Sequence, residues 1–298
     1  MSGPVAAALP LSVFLLAALV VAVVVIARRV PSHELTAPVA RARRRGTVLG
    51  ALALAVAAAL TVVGTSLPQT SLPRTQLVAV APLVAAAVHA AVLLVGELSW
   101  PRPAQRVRSA RLAVRSVRHQ AAPGAGVLFL VAGALTLATC AAGTLLADDS
   151  GRAVSWSDGT ASSSAGPFPG AYYAGPVALA AVVAVALTSA VLLRVPHRPA
   201  VPGADAATDG ALRRAAAHRA LRGCTAGLLG TTAAMLVLGG TAAGRLDGEA
   251  SPAPGSSRSF GPGPLWNAVA DGVTIAGAVL LLAALAVLLV PARGPARA

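Results

Sequence analysis

Two ionisable side chains, His89 and Glu97, have the most scope for chemistry because they lie in an otherwise apolar segment. If the segment is helical, eight residues correspond to about 80° around the helix axis, so both side chains lie on one face. Ionisable groups at membrane depth are candidates for proton or ion paths. The pair therefore predicts either the lining of such a path or a structural role, in which His89 hydrogen-bonds a Ser or Thr of a neighbouring helix.

A third ionisable residue, Asp271, lies about one turn inside the last apolar stretch, and Arg245 ends the stretch before it. The interpretation we favour is an ion pair between these two side chains that closes the hairpin. The alternative is that Asp271 contacts a substrate from the outer leaflet.

Catalytic signatures are missing from the sequence. His33-Glu34 lacks the second histidine of a zinc-protease motif, and Cys140 and Cys224 have no zinc-ligand spacing and are predicted to lie too far apart to form a disulfide. All 24 basic residues are arginine, which excludes lysine Schiff bases, P-loop lysines and lysine general bases. We therefore expect a non-enzyme with no catalytic, cofactor or metal site.

The elements that carry these residues are seven long apolar stretches. The composition is 56% hydrophobic and 11% charged, whereas soluble domains have about 25% charged residues. About 20 apolar residues span a bilayer as a helix. The sequence thus predicts an all-α, polytopic helix bundle that forms a single transmembrane domain over residues 1–298, with a reverse anchor as its first span. The predicted spans are 5–27, 46–66, 77–95, 125–146, 174–193, 224–244 and 268–290.

The arginines are distributed unequally between alternate loops. Three loops on one side hold six arginines each and the C-terminal tail holds two, against four on the other side. This asymmetry predicts an N-terminus outside and a C-terminus in the cytoplasm, in the cytoplasmic (plasma) membrane. It also explains the net charge of +14 without nucleic-acid binding, since the basic loops lack interleaved aromatic residues.

The loops follow from this orientation. Loops 96–124 and 194–223 are predicted to be basic and cytoplasmic, whereas 147–173 and 246–265 are predicted to be polar, turn-forming outer loops. In the second basic loop, Asp209 is expected to cap a helix that starts at Gly210 and runs into span six.

The first basic loop contains four arginines with helical spacing, Arg108, Arg111, Arg115 and Arg118. A helix with this stripe can lie on the inner leaflet and contact anionic headgroups. The alternative is a solvated loop that serves only the charge asymmetry. In either case the predicted partners are the lipid bilayer with its anionic inner leaflet and other membrane proteins.

Small residues spaced four apart predict close helix contacts within the membrane. The pairs are Gly46 with Gly50, Gly240 with Gly244, and Gly272 with Ala276. Seven hydroxyl side chains in the spans can hydrogen-bond across helices, those of Thr61, Thr136, Thr139, Thr188, Ser189, Thr231 and Thr232.

The segment Gly96-Glu97-Leu98-Ser99-Trp100-Pro101-Arg102-Pro103 resembles a group of multi-pass integral membrane proteins of high-GC actinobacteria. Segments 167–176 and 209–214 are similar to that group too, and the resemblance extends over most of the chain. No activity is assigned to the group, so the resemblance implies a membrane location and no mechanism.

Three functions are compatible with these observations. The leading hypothesis is a non-enzymatic membrane component or complex subunit. The second is a small-solute or ion transporter with His89, Glu97 and Asp271 near the path, which discontinuous helices would support and uninterrupted helices would oppose. The third is a lipid or cell-envelope enzyme, which would require a convergent polar cluster at one membrane interface.

Overall fold

The computed structural model describes residues 37–66, 74–100, 123–202, 204–250 and 258–289. The first predicted span, 5–27, lies outside the described residues. So does the arginine stripe formed by Arg108, Arg111, Arg115 and Arg118.

Six long helices make up most of the described chain, and each corresponds to one of the six remaining predicted spans. Four of these spans lie wholly within their helix, and spans 224–244 and 268–290 extend one residue beyond its end. Helices that are long and apolar enough to cross a membrane cover 75–98, 124–146, 171–197, 206–243 and 264–289. The helical class is therefore confirmed for the described residues, and the count of seven spans stays a prediction. The helices are α1 (Ala37–Ser66), α2 (Arg74–Leu98), α3 (Pro123–Leu146), α4 (Ala171–Arg194), α5 (Ala206–Ala243) and α6 (Pro264–Leu289).

Successive helices run in opposite directions, and α5 lies at the centre of the bundle, where it contacts the other five. The bundle has two distinct ends. At the arginine end, Arg45 of α1 meets Ser99 after α2, and Arg213 of α5 meets the end of α4. At the hairpin end lie the segment that joins α3 to α4 and the described parts of the segment between α5 and α6.

Glycine permits the close approach of α5 to its neighbours. A Cβ at Gly227 would lie 2.8 Å from the Ala86 Cβ and 3.1 Å from the Pro82 carbonyl oxygen of α2. A Cβ at Gly277 of α6 would lie 2.9 Å from the Ala233 carbonyl oxygen. In a bilayer, where apolar burial gives little driving force, such backbone contacts supply the packing.

The predicted small-residue pairs have three different surroundings. Gly240 packs against Ala270 and Thr274 of α6, as expected for a helix contact. Gly46 and Gly50 instead make room for the side chain of Arg219. Gly272 has no neighbouring atoms on its Cβ side among the described residues, so its side of α6 is open.

Of the hydroxyl residues predicted to bond across helices, Thr136 and Thr232 do so with each other. The Thr136 and Thr232 hydroxyl oxygens are 2.9 Å apart and join α3 to α5. Each hydroxyl also reaches a carbonyl oxygen one turn earlier in its own helix. Both side chains are fully buried, and this pairing satisfies them.

The hairpin end contains strands that the sequence analysis did not predict. β1 (Val154–Ser157) pairs with β2 (Ser162–Ala165), and β3 (Gly248–Ala250) pairs with β4 (Arg258–Phe260), both antiparallel. Trp156 of β1 stacks on Phe260 of β4 with ring centroids 6.4 Å apart, so the two hairpins touch. The Ser163 hydroxyl adds a 2.6 Å hydrogen bond to the Leu246 carbonyl oxygen.

The start of α5 differs from the prediction by four residues. Asp205 is the N-cap, and its carboxylate accepts a 2.7 Å hydrogen bond from the Thr208 backbone N–H. Asp209 lies in the first turn and pairs with Arg213 instead. Both aspartates suit a helix start, but the Asp205 carboxylate is the one that caps a backbone N–H group of the first turn.

Candidate functional site

Charged and polar side chains from three helices, and from the segments that follow α2 and α4, converge at the arginine end of the bundle. Glu97 lies in the last turn of α2, and Arg198 follows the 3₁₀ turn Val195–His197 that extends α4. The N-terminal half of α5 contributes Arg213 and Arg219. We call the following set the arginine cluster: Arg45, Glu97, Trp100, Arg198, Arg213 and Arg219.

Glu97 and Arg198 form an ion pair at the centre of the cluster. The Arg198 Nη1 atom is 3.5 Å from the Glu97 Oε1 atom, and the side chains are 2% and 10% exposed, respectively. Desolvation lowers the pKa of Arg198 below its usual value, and the Glu97 carboxylate opposes that shift. A pair this long and this buried recovers only part of the cost of removing both charges from water.

The Glu97–Arg198 contact leaves hydrogen-bonding capacity unused. The Glu97 Oε2 atom and the Arg198 Nε and Nη2 atoms are buried without a hydrogen-bond partner among the described residues. Buried guanidinium groups in folded proteins are normally hydrogen-bonded. The centre of the cluster therefore holds more donors than the described protein satisfies.

Two of the guanidinium groups lie over the ring of Trp100. The Arg198 Cζ atom lies 4.2 Å from the centroid of the Trp100 ring, and the Arg45 Cζ atom lies 5.6 Å from it. Arg45 also donates from Nη2 to the Ser99 carbonyl oxygen at 2.8 Å and to its hydroxyl at 2.9 Å. These cation–π contacts and hydrogen bonds join the start of α1 to the end of α2 and to the segment after α4.

Arg213 is fully engaged and has a structural role. Its Nε donates to Asp209 at 2.8 Å. Its terminal nitrogens donate to the carbonyl oxygens of Val195, Pro196 and Arg198 at 2.7–3.0 Å. These carbonyls at the end of α4 and after it have no helical partner of their own, so a cation here satisfies them. Arg213 thereby holds in place the backbone that carries Arg198.

Arg219 and His89 connect the cluster to the middle of the bundle. The Arg219 guanidinium lies against Gly46 of α1, where an added Cβ would be 2.8 Å from Nη2. The His89 Nε2 atom is 3.4 Å from the Arg219 carbonyl oxygen, so a proton on Nε2 donates to that carbonyl. The imidazole ring also fits against Gly223 of α5.

Two of the three predicted polar residues, His89 and Glu97, are buried, and they have different partners. His89 contacts a backbone carbonyl, however, and not the predicted Ser or Thr side chain. Asp271 is exposed near the opposite end.

The favoured Arg245–Asp271 ion pair does not form between these two described residues, unlike the Glu97–Arg198 and Asp209–Arg213 ion pairs. The α5–α6 hairpin is closed by other contacts. Asn267 hydrogen-bonds Asp247, and the Trp266 indole N–H donates to the Ala243 carbonyl oxygen at 3.0 Å. These side chains from the first turn of α6 reach the end of α5, whereas both Arg245 and Asp271 are exposed.

Sequence reasoning missed the partners of Glu97. Arg198, Arg213 and Arg219 enter the sequence analysis only through the count of inner-loop arginines. The one signal available was the Asp209–Arg213 spacing, which is the i,i+4 distance of a helical ion pair.

Among the described residues, no group of three or more His, Cys, Asp or Glu side chains could hold a metal ion. Comparison with family models, curated proteins and solved structures finds no significant match to this chain.

Proposed function

We propose that the chain is a non-enzymatic component of the cytoplasmic membrane that assembles with another membrane protein through the outward face of α6. The proposal retains two premises from the sequence, the orientation with the arginine end in the cytoplasm and the resemblance to the actinobacterial membrane proteins. Five apolar helices of membrane-spanning length support the membrane setting.

The observation that carries the proposal is a row of exposed small residues on α6. Ala268, Gly272 and Ala276 follow one another at intervals of four residues, and all three are exposed. Only 11% of the most apolar stretch of α6 is buried, against 56% for α5. Small residues at this spacing are where membrane helices approach most closely.

Asp271 lies beside this row and is exposed as well. A carboxylate that faces lipid near a helix end is costly unless it reaches the headgroups or a partner. A second helix against α6 would place a polar or basic group next to Asp271. The residue thus fits an assembly surface better than a lipid-facing surface.

The polar residues of the spans also support a component over a transporter. His89 and Glu97 join α2 to α5 and to the segment after α4. The five candidate spans are continuous helices, including α2 across Pro82 and α4 across Pro176. Discontinuous helices around a midplane site are typical of many transporters.

A photocrosslinking amino acid at position 272 or 276 tests the α6 surface in native membranes. We expect both positions to give a discrete protein adduct, because a packed helix excludes lipid there. The matched control is position 182 of α4, where Val182 is similarly exposed and only lipid adducts are expected. Gly272→Leu should remove the adduct formed from position 276, and lipid adducts alone at all three positions would refute the proposal.

A transporter remains the second candidate because one observation favours it. The His89 Nδ1 and Glu97 Oε2 atoms are buried on one side of α2 without a hydrogen-bond partner among the described residues. If they line a proton path, His89→Ala should abolish proton flux into proteoliposomes that carry a pH-sensitive dye. Unchanged proton flux would show that His89 has a packing role only.

A further inference from the structure

The arginine cluster carries more positive than negative charge around its centre. Asp209 is engaged by Arg213, which leaves Glu97 as the counter-charge for Arg45, Arg198 and Arg219. Glu97 makes one 3.5 Å contact with one of these three cations. Two guanidinium charges at the centre therefore lack a described carboxylate.

The unused hydrogen-bond donors belong to the same cations. Arg198 is 2% exposed, and its Nε and Nη2 atoms are both unpartnered within the described chain. The Arg219 Nε atom is also buried without a partner there. Planar guanidinium groups offer paired N–H donors that match the oxygens of a phosphate.

We propose that the arginine cluster binds a phosphate-bearing anion between Arg45, Arg198 and Arg219, next to Trp100. The anion supplies the missing negative charge and accepts from the buried N–H groups. Glu97 lies in the last turn of α2, and Arg198 follows the end of α4. With the membrane placement proposed above, the cluster would lie at the level of the phospholipid headgroups. The phosphate therefore comes either from an anionic phospholipid headgroup or from a soluble phosphate.

Trp100 provides access to the cluster and a way to observe it. Its ring covers Arg198, and Trp100 itself is only partly buried. An anion that engages Arg198 and Arg45 displaces the ring from at least one of them, which changes the indole environment. The other two tryptophans, Trp156 and Trp266, lie at the hairpin end, so their emission can be removed without touching the cluster.

The test uses the full chain with Trp156→Phe and Trp266→Phe in phosphatidylcholine nanodiscs. Trp100 emission is recorded while phosphatidylglycerol is added to the nanodisc lipid or inorganic phosphate to the buffer. We expect a saturable change in Trp100 emission. Arg198→Lys keeps the charge but loses the paired donors, so the midpoint should rise by about tenfold.

Arg44→Gln is the matched control, because it removes a charge from an exposed arginine next to Arg45 without altering the cluster. Its midpoint should stay within about twofold of the parent, since a surface charge contributes little. A response to phosphatidylglycerol alone assigns a lipid headgroup, and a response to inorganic phosphate assigns a soluble anion. Both results support the site.

Two results would overturn the proposal. One is the absence of a saturable response to either compound, and the other is an Arg198→Lys midpoint equal to that of Arg44→Gln. Native mass spectrometry of the unsubstituted chain gives a second measurement that needs no tryptophan replacement. There, phosphatidylglycerol or phosphate should be retained by the parent and lost from Arg198→Lys. The outcome is independent of the α6 contact, because that surface does not include the cluster.

Discussion

The buried Glu97–Arg198 ion pair affects stability differently when it is intact and when one partner is removed. Desolvation of both groups offsets much of their attraction, so the intact pair adds little free energy. Removing only one partner is different, because the remaining charge stays buried without its counter-ion. The cost of removing one partner is largest where the remaining charge is as deeply buried as that of Arg198.

Replacement of one partner should therefore destabilise the protein strongly. Glu97→Gln is expected to lower the free energy of unfolding by about 3–5 kcal/mol, the usual cost of an uncompensated buried charge. The unfolding midpoint can be followed with a thiol-reactive fluorogenic dye, since Cys140 and Cys224 are free and only 5% and 0% exposed.

Two further variants make this measurement specific. Asp271→Asn removes an exposed carboxylate and should leave the midpoint unchanged. Glu97→Gln combined with Arg198→Met should recover part of the loss, because the cation that pairs directly with Glu97 is removed as well. Equal midpoints for Glu97→Gln and Asp271→Asn would show that the ion pair has no structural role.

The sequence singles out one member of the arginine cluster, Glu97. His89 and Glu97 stand out because they are ionisable residues in an apolar stretch, and both are buried in the structure. The cationic partner of Glu97 could not be found in the same way. Arg198 lies 101 positions away, and its selection from many arginines depends on where α4 ends against α2.

At the scale of elements, the contact between α2 and α5 depends on the packing of the His89 ring against Gly223, which has no side chain. The His89 ring occupies the space beside Gly223, where an added Cβ would lie 2.5 Å from the imidazole Cδ2. The ring is also held by the Arg219 carbonyl oxygen. Neither the ring nor the backbone has room to move without separating the two helices.

Gly223→Ala should therefore lower the unfolding midpoint in the thiol assay, by an amount typical of overpacking, about 1–3 kcal/mol. Gly230→Ala on the same helix is the control, because its Cβ would meet nothing within 4 Å. That change should be neutral or stabilising by up to about 1 kcal/mol, as alanine favours a helix. His89→Ala should relieve the Gly223→Ala defect, and a defect that persists would place its origin elsewhere.

The hairpins at the opposite end show that hydrophobic periodicity does not predict very short strands. Strands of three and four residues are too short to display alternation, and the serine-rich β2 is indistinguishable from a polar turn. The turn between β1 and β2 agrees with the turn-forming character predicted for this loop. Asp158 accepts the backbone N–H groups of Thr160 and Ala161, and Gly159 has a φ of +83°. The stacking of Trp156 on Phe260 required the tertiary arrangement.

At the scale of the whole molecule, the two ends differ in chemistry. The segments predicted to lie outside, 147–173 and 246–265, meet at the hairpin end wherever they are described. The described inner-loop arginines lie toward the opposite end. The alternation of loops, together with continuous helices, was enough to predict this segregation. Which end faces the cytoplasm depends on the charge asymmetry.

Cysteine labelling of intact cells with a membrane-impermeant maleimide tests this membrane placement most directly. Single cysteines are introduced at positions 155, 256 and 110, and the buried Cys140 and Cys224 give little background. We predict that positions 155 and 256 react in intact cells and that position 110 reacts only after permeabilisation. Labelling of position 110 in intact cells with protection of 155 and 256 would contradict both the orientation and a cytoplasmic arginine end.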